Sequence, residues 1–318
     1  MWGSRTDVFT EPDDYRAGLG SARIDVFLAC PGGFSARLTR VELGHLALLH
    51  GQENQARVAH LTLSPKFVFI TFPTDRASSM KWAGVDVEPG AIVFHSRGER
   101  MYQRTMGACR WGAISLTPHD LVTHGRALVE QDFIPPSPCR VLRPLPSALH
   151  RLRSLHKTAC RLVETKPAVI AHPEVVRSIE QDLVHALVTC LATADVVGTT
   201  AAHRHHVQVM GQFEELLEGK SAAPLPIPEL CRTLGVSKRS LQMCCSEFLG
   251  MSPNQYLRLR RMHAAHLALR HAGSATLCVA DVASRHGFSE PGRFAVAYRA
   301  LFGERPSDTL RRCTARPS

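Results

Sequence analysis

The spacing of hydrophobic residues changes along the chain, and the first pattern is typical of strands. Up to residue 116, short apolar runs such as RIDVFLA, KFVFITF, AIVFH and WGAISL alternate with turn signals such as PGG, LSPK and VEPGA. Runs rich in β-branched and aromatic residues, bounded by Gly and Pro, predict strands, and their even spacing predicts a barrel or sandwich. We therefore expect an antiparallel β barrel or jelly-roll-like domain over residues 1–145.

A helical pattern follows the proline-rich stretch DFIPPSPCRVLRPLPS. Residues 147–165 and 173–193 carry apolar residues three or four positions apart, a spacing that places them on one face of a helix. They are Leu149, Leu152, Leu155, Ile179, Leu183, Leu187 and Leu191. We expect a helical connector over residues 146–202 and a third unit over residues 203–318.

An internal repeat marks this third unit. Residues 235–253, GVSKRSLQMCCSEFLGMSP, align with residues 287–306, GFSEPGRFAVAYRALFGERP, if the second copy holds one extra residue. Each copy opens with Gly, an apolar residue and Ser, and closes with Gly-x-x-Pro. Glycine ends helices in the left-handed conformation, and Ser237 and Ser289 are predicted to cap the helices that follow. Pro291 suits the first turn of its helix.

The apolar spacing predicts two helix-turn-helix units, over about residues 227–249 and 277–302. In both copies the helices before and after the glycine carry apolar residues at i, i+3 and i+4. The intervening segment PNQYLRLRRMHAAHLALRHA predicts one helix about 25 Å long. Such a helix would place two recognition helices about one DNA turn, roughly 34 Å, apart. On it we expect Arg258, Arg260, Arg261 and Arg270 to face solvent or phosphate.

Charge supports a polyanionic partner for the third unit. The 318 residues hold 38 Lys and Arg against 28 Asp and Glu, and residues 203–318 alone hold 16 against 9. Such a basic excess favours nucleic acid as a partner. No apolar run is long enough to span a membrane and the first residues do not form a signal peptide, so we expect a cytoplasmic protein without a membrane partner. The scattered cysteines predict neither a zinc ribbon nor a disulfide framework.

These motifs carry a family resemblance. Residues 203–318 resemble the AraC/XylS family of bacterial transcription regulators, above all over VADVASRHGFSEPGRFAVAYRALFGERPSDTLRR. Within the family, LCRTLGVSKRSLQ and GRFAVAYRALFGERPS are most similar to the ethanolamine-operon regulators. The resemblance implies a seven-helix DNA-binding domain, a β domain that binds a small-molecule effector, and connector helices that help to form a homodimer. It also implies an activator that works on promoter DNA with RNA polymerase.

Carried onto this sequence, the resemblance places DNA contacts at the start of each recognition helix. In the first helix they are Ser237, Lys238, Arg239, Gln242 and Met243. Arg can bind guanine with two hydrogen bonds, Gln can pair with adenine, and Met can contact a thymine methyl group. The second helix offers Ser289 and Arg293, but Pro291, Gly292 and Val296 stand where the family usually has polar groups. We expect this helix to read few bases and to act mainly through phosphate contacts. Because of its charge, Arg260 on the connecting helix is predicted to be a further DNA contact.

The β domain offers weaker signals. Trp82, Tyr102 and Trp111 are candidates for lining an effector pocket, although aromatic residues in a β domain can equally be plain core. We find no catalytic constellation and expect neither a cofactor nor a metal. His95 in FHSRGE lacks the second His of a cupin-type site, and His203 and His205 fall at a domain break. A barrel enzyme with an appended DNA-binding unit and an architectural DNA-binding protein remain alternatives to an effector-controlled regulator.

Overall fold

The fold is described from a computed structural model, which covers residues 3–20, 22–75, 77–218, 226–272 and 278–314. Thirteen strands lie in this part of the chain, and all their pairings are antiparallel. In chain order they are β1 (Arg5–Phe9), β2 (Ala22–Leu28), β3 (Ala36–Leu43), β4 (Leu46–Glu53), β5 (Arg57–Leu63), β6 (Val68–Pro73), β7 (Met80–Trp82), β8 (Val85–Val87), β9 (Ile92–Phe94), β10 (Arg100–Thr105), β11 (Cys109–Leu116), β12 (Arg140–Arg143) and β13 (Asp195–Val196).

Twelve helices occupy the same described ranges. Eight of them begin at a proline, since a proline at the first helical position loses no hydrogen bond and already has a helical φ. The helices are α1 (Pro12–Gly18), α2 (Pro118–Val129), α3 (Pro146–Thr165), α4 (Pro167–Ile170), α5 (Pro173–Ala192), α6 (Ala201–Glu218), α7 (Ile227–Leu234), α8 (Lys238–Leu249), α9 (Pro253–Arg270), α10 (Val279–Arg285), α11 (Pro291–Phe302) and α12 (Pro306–Thr314).

The larger sheet has eight strands, in the order β1-β3-β4-β11-β6-β9-β12-β13, and both of its faces are buried. Phe69 and Trp111 belong to the core that it shares with the smaller sheet. Their neighbours Ile70 and Ile114 join a second core, which the sheet forms with α3 and α5. Because successive side chains of a strand lie on opposite faces, this two-sided burial explains why β6 is apolar at nearly every position.

The smaller sheet has five strands, in the order β2-β5-β10-β7-β8, and packs against the C-terminal helices. In its register Phe27 lies opposite Val58, and His60 lies opposite Tyr102. The rings of Phe27 and Tyr102 contact Tyr256 of α9, with centroid distances of 5.8 and 5.9 Å. The chain is therefore layered as C-terminal helices, five-stranded sheet, eight-stranded sheet, and α3 with α5.

The two helix-turn-helix units pack differently. Residues of the first unit, including Leu241 and Phe248 of α8, belong to the same core as the β sandwich. The second unit has its own smaller core, built around Val282 of α10, Phe294 of α11 and Leu269 of α9. The first unit is thus continuous with the β domain, and the second is attached mainly through α9.

The predicted fold class is confirmed, with an antiparallel β domain followed by a helical C-terminal domain. The helices predicted at 147–165 and 173–193 are α3 and α5. The three-part division of the chain stays a prediction, and two observations bear on it. α3 and α5 pack directly on the eight-stranded sheet, and β13, inside the predicted connector, pairs with β12.

Candidate nucleic-acid interface and interdomain cavity

The first helix-turn-helix corner is set by Gly235 and Ser237. α7 ends at Gly235, whose φ of +65° lies in the left-handed region that glycine adopts without steric cost. The backbone N–H of Ser240 donates a hydrogen bond of 3.0 Å to the Ser237 hydroxyl, which caps α8 as predicted. Leu241 and Phe248 are buried on one side of α8, so its opposite side faces outward.

This outward side carries the residues predicted to read DNA. Lys238, Arg239, Gln242 and Met243 are all exposed. In the ranges that the structure describes, no ion pair involves Lys238 or Arg239. The far end of α8 is covered instead, because the Arg104 side chain of the β domain packs against Gly250. The first two turns of α8 therefore present these side chains to solvent.

The second recognition helix, α11, presents a poorer surface. Its N-cap is Glu290, which makes no side-chain capping bond, so the prediction that Ser289 caps this helix is wrong. The Nε of Arg293 lies 2.9 Å from a carboxylate oxygen of Glu290, one turn back. Val296 next to it is 73% exposed. The one strong hydrogen-bonding group expected on this face is thus partly neutralised by its own helix.

The connecting helix α9 differs most from the expectation. The guanidinium of Arg260 binds Glu214 of α6 and lies over the Phe27 ring, 5.3 Å from its centroid. Arg270 pairs with Asp13 and Asp14 of α1, at 3.5 and 3.2 Å. These contacts contradict the prediction that Arg260 and Arg270 face solvent or phosphate, because both cations are held by carboxylates elsewhere in the chain.

The other two arginines of α9 behave differently from each other. Arg261 donates a hydrogen bond of 3.0 Å to the backbone oxygen of Gly287 and lies over the Phe288 ring. It therefore braces the corner of the second helix-turn-helix unit. Arg258 is exposed, as expected.

A buried polar network joins the two domains at Glu214. The Glu214 carboxylate accepts hydrogen bonds from the Tyr102 hydroxyl of β10 and from Arg260 of α9. Nδ1 of His60 lies 3.9 Å from the same carboxylate. Burial lowers the pKa of His60 despite the opposing influence of Glu214, and burial raises the pKa of Tyr102 well above its usual value. The network thus consists of one buried ion pair with neutral His and Tyr partners.

His60, Glu214 and Glu218 place their potential metal-binding atoms within 4.8 Å of one another. Both carboxylates already pair with arginines, Glu214 with Arg260 and Glu218 with Arg100. Because these guanidinium groups supply the positive charge that a metal ion would bring, we describe the three residues as part of the ion-pair network.

A cavity of about 590 Å³ lies beside this network, between the β domain and the C-terminal helices. Trp82 and Tyr102 line it, together with Val207 and Met210 of α6 and Phe248 of α8. That this cavity binds an effector stays a prediction. Trp111, the third predicted aromatic, lies elsewhere. Its indole N–H donates a hydrogen bond of 2.8 Å to buried Glu53, and its ring fills the space beside Gly51 inside the sandwich.

Three histidines considered in the sequence have local partners. His95 is buried between Thr71 and Glu99, with hydrogen bonds of 2.8 Å on both ring nitrogens. In HRHH, His203 is hydrogen-bonded to Glu247 of α8 at 2.7 Å. His205 is exposed. The His-x-His pair therefore helps to fasten α6 to α8 through its first member.

Comparison with known proteins identifies the C-terminal region. Residues 230–312 match a family model described as "Helix-turn-helix domain". The "Probable thc operon regulatory protein" of Rhodococcus erythropolis is 39% identical over 97 residues, which are 30% of this chain and 29% of that protein. The "XylDLEGF operon transcriptional activator" of Pseudomonas putida is 31% identical over 99 residues, 31% of each protein. A solved structure, of a "probable AraC family transcriptional regulator from Rhodopseudomonas palustris CGA009", is 35% identical with a TM-score of 0.31, and covers 35% of this chain and 99% of that one.

The C-terminal region of the chain thus holds a helix-turn-helix domain that is similar in sequence to those of operon regulators.

The match to the family model covers residues 230–312, the helix-turn-helix region of the chain. The chain spans less than a third of the length of the two operon regulators that it resembles. Among the helices in the described ranges, none is both long enough and apolar enough to cross a membrane.

The sequence did not predict the residues that join the C-terminal helices to the β domain. Glu214 is the clearest case, and a signal for it was present. It lies on the same helical face as the apolar Met210, Phe213 and Leu217, where a charged residue requires a buried partner. The identity of that partner, Arg260, could not be read from the sequence because 46 positions separate the two residues.

Proposed function

We propose that this protein is a sequence-specific DNA-binding regulator of transcription, with α8 as its main reading helix, rather than an enzyme. The observation that carries the proposal is the exposed start of α8, where Lys238, Arg239 and Gln242 stand on a capped, well-packed helix. Rigid helices present base-reading groups at low entropic cost. The names of the two operon regulators above support a role in transcription.

The chemistry assigns different tasks to the residues of α8. Arg239 can donate two hydrogen bonds to guanine O6 and N7, and Gln242 can pair with adenine. Met243, half exposed, can contact a thymine methyl group. Ser237 and Lys238 suit phosphate, because they stand at the N-terminus of the helix, where backbone N–H groups also favour an anion.

The second helix-turn-helix unit contributes mainly position and affinity. The Arg293 guanidinium must break its ion pair with Glu290 to contact DNA, and Ser289 offers only a hydroxyl group. Arg260 acts indirectly, because it binds Glu214 of α6 and stacks on the Phe27 ring of the β domain. Sequence preference therefore comes chiefly from α8, supplemented by DNA shape.

The interdomain cavity is the proposed effector site. Its lining of Trp82, Tyr102, Val207, Met210 and Phe248 suits a small, largely apolar molecule. Phe248 belongs to α8 itself, so a molecule in the cavity touches the reading helix from behind.

The remaining partners follow from the family resemblance. We propose promoter DNA as target, activation through RNA polymerase, and a homodimer formed through the connector helices α3 and α5. The similarity of residues 230–242 and 292–307 to ethanolamine-operon regulators makes a promoter of that class a candidate target. Genome-wide mapping of bound sites, followed by binding to the mapped promoters, tests this assignment.

The test of DNA reading is Arg239→Ala in the full chain. A cognate duplex is first selected from a random-sequence library with the unmodified protein. Arg239→Ala is expected to weaken binding to that duplex by about 1–3 kcal/mol and to relax the preference at one base pair. Binding is measured by fluorescence anisotropy at fixed salt, because phosphate contacts make affinity strongly salt-dependent.

Arg37→Ala is the matched control, since it removes the same charge from an exposed position of β3, outside the helices of the proposed dimer. It is expected to leave affinity within about twofold. If Arg239→Ala lost the same affinity for cognate and random duplexes, Arg239 would contact phosphate and not a base. Failure of the selection to enrich any sequence would contradict specific reading and favour an architectural DNA-binding protein.

A further inference from the structure

We propose that a second cavity, between α3 and the eight-stranded sheet, binds a small molecule carrying two or more phosphate groups. The cavity measures about 920 Å³ and is lined by β4, β11, β12 and one face of α3. It shares no lining residue with the interdomain cavity. This anion site is therefore separate from the proposed effector site, and its test does not depend on DNA reading.

Positive charge is concentrated in this cavity. Five basic side chains line it, namely Arg110, Arg143, Arg153, Lys157 and Arg161, against the two acids Asp75 and Glu164. Residues 1–202 as a whole hold 22 Lys and Arg and 19 Asp and Glu. The excess of basic over acidic residues in the cavity lining is thus as large as the excess in the whole of residues 1–202.

Much of this charge is not neutralised by the protein. Among the described residues, neither Lys157 nor Arg161 has a carboxylate within ion-pair distance. Arg110 lies 3.9 Å from Asp75, at the limit of an ion pair. Glu164 already accepts a hydrogen bond of 2.6 Å from the Thr39 hydroxyl. Arg143 is paired with Glu88 at 2.9 Å. Lys157 and Arg161 are therefore the cations of this cavity that no carboxylate of the described residues neutralises.

The arrangement on α3 is costly without a bound anion. Arg153, Lys157 and Arg161 are spaced four residues apart, so they stand on one face of the helix. Like charges at this spacing destabilise a helix by about 0.2–0.5 kcal/mol per pair. A polyanion placed against the face would convert this repulsion into attraction.

The other lining groups favour phosphate over an apolar ligand. Arg and Lys form charge-assisted hydrogen bonds with phosphate oxygens, and Arg can do so with two parallel N–H groups. Burial lowers the pKa of His50, and it lowers the pKa of His156 to about 3. Both histidines are therefore uncharged at physiological pH, and His156 already bonds the backbone oxygen of Leu49 at 3.0 Å. Gln52 and Ser154 add further donors, so the wall is polar and its charge comes from Lys and Arg.

The site has a structural link to the rest of the molecule through β12. Arg143, at one end of this strand, lines the second cavity, where phosphate is proposed to bind. Arg140 and Val141 line the interdomain cavity. A four-residue strand thus connects the two sites directly.

The experiment measures binding to the full chain by isothermal titration calorimetry. The probes are inorganic pyrophosphate, a nucleoside diphosphate and a sugar bisphosphate, with citrate as a carboxylate of similar charge, all at matched ionic strength. We expect saturable binding of at least one phosphate probe, at least tenfold tighter than citrate. Comparison of the three phosphate probes distinguishes a nucleotide from a sugar phosphate or free diphosphate as the source of the ligand.

The double variant Lys157→Gln/Arg161→Gln is expected to weaken that binding at least tenfold. Its matched control is Arg151→Gln/Arg177→Gln, which removes two charges outside the cavity. Arg151 lies on α3 too, but its guanidinium is 3.3 Å from Asp182 of α5. The control is expected to change affinity less than twofold, and circular dichroism checks that both variants are folded.

Three results would overturn the proposal. The first is that no phosphate probe binds saturably. The second is that citrate binds as tightly as the best phosphate probe. The third is that both double variants weaken binding equally. A loss of duplex DNA affinity in Lys157→Gln/Arg161→Gln, without phosphate binding in the unmodified protein, would assign the surface to nucleic acid instead.

Discussion

Glu214 is the residue at which three elements of the chain meet. It stands on α6, binds Arg260 of α9, and accepts a hydrogen bond from Tyr102 of β10. Its side chain is 1% exposed, and that of Arg260 is 20% exposed. Removing one member of such a pair leaves the other charge buried without compensation, which costs more than the pair itself contributes.

We expect Glu214→Gln to lower the free energy of unfolding by about 3 kcal/mol, because Arg260 then keeps its charge without a carboxylate. Urea denaturation followed by circular dichroism measures the change. Glu215→Gln is the matched control on the same helix. Its side chain is 65% exposed, so the loss should stay below about 1 kcal/mol. Similar losses in both variants would show that the network does not hold the domains together.

The residues of α8 could be predicted from the sequence, whereas those of the interdomain network could not. The family resemblance points to Arg239 and Gln242, and their exposure follows from local rules, because a cap and an apolar stripe determine which side of a helix is exposed. Arg260 stands on a similar polar stripe of α9, but an acid 46 positions away binds it. Only the tertiary fold distinguishes these two arginines.

At the scale of elements, the two recognition helices start in different ways. α8 starts at a serine whose hydroxyl accepts a backbone hydrogen bond. α11 starts after Glu290, with a proline in the first turn and no side-chain cap. The two copies of the repeat therefore share a left-handed glycine at the corner, but only in the first copy does the serine cap the helix that follows.

Ser237→Ala is expected to destabilise the protein by about 1 kcal/mol, because it leaves the Ser240 N–H without its partner. Ser289→Ala should cost less than half of that, since no cap is lost. Thermal unfolding of the two variants, side by side, measures the difference. A larger loss for Ser289→Ala would mean that α11 is capped by Ser289 after all.

The kinds of element were predictable, but their pairing was not. Apolar period and prolines located α3, α5 and both helix-turn-helix units within a few residues. The order of the strands was beyond this reasoning, because β11 pairs with both β4 and β6 across long sequence separations. Nothing in the local pattern of β6 distinguishes burial between a sheet and a helical layer from burial inside a barrel.

At the scale of the whole molecule, the unequal cores of the two helix-turn-helix units have a dynamic consequence. The first unit shares the large sandwich core, and the second depends on a small core of its own. Regions with less buried apolar contact open at lower free energy than the rest of a protein. The second unit is therefore the less protected half of the DNA-binding domain.

We expect the backbone amides of α10 and α11 to exchange with deuterium at least tenfold faster than those of α7 and α8. Hydrogen exchange of the full chain, read by mass spectrometry at neutral pH, measures both units in one experiment. Equal protection of the two units would show that the domain opens as one cooperative body.

The interdomain cavity has walls from both domains, so it exists only while they are docked. A compound that fills it binds the docked form alone, and its apparent dissociation constant equals the intrinsic value divided by the docked fraction. The coupling is reciprocal: the factor by which docking raises the affinity for the compound is also the factor by which the bound compound raises the equilibrium constant for docking. If docking were complete without the compound, there would be no equilibrium left to shift. The contacts that cross between the domains, among them the Tyr102–Glu214 hydrogen bond and the stacking of Arg260 on Phe27, thus influence both the sensitivity of the protein to the compound and the size of the change that the compound can produce.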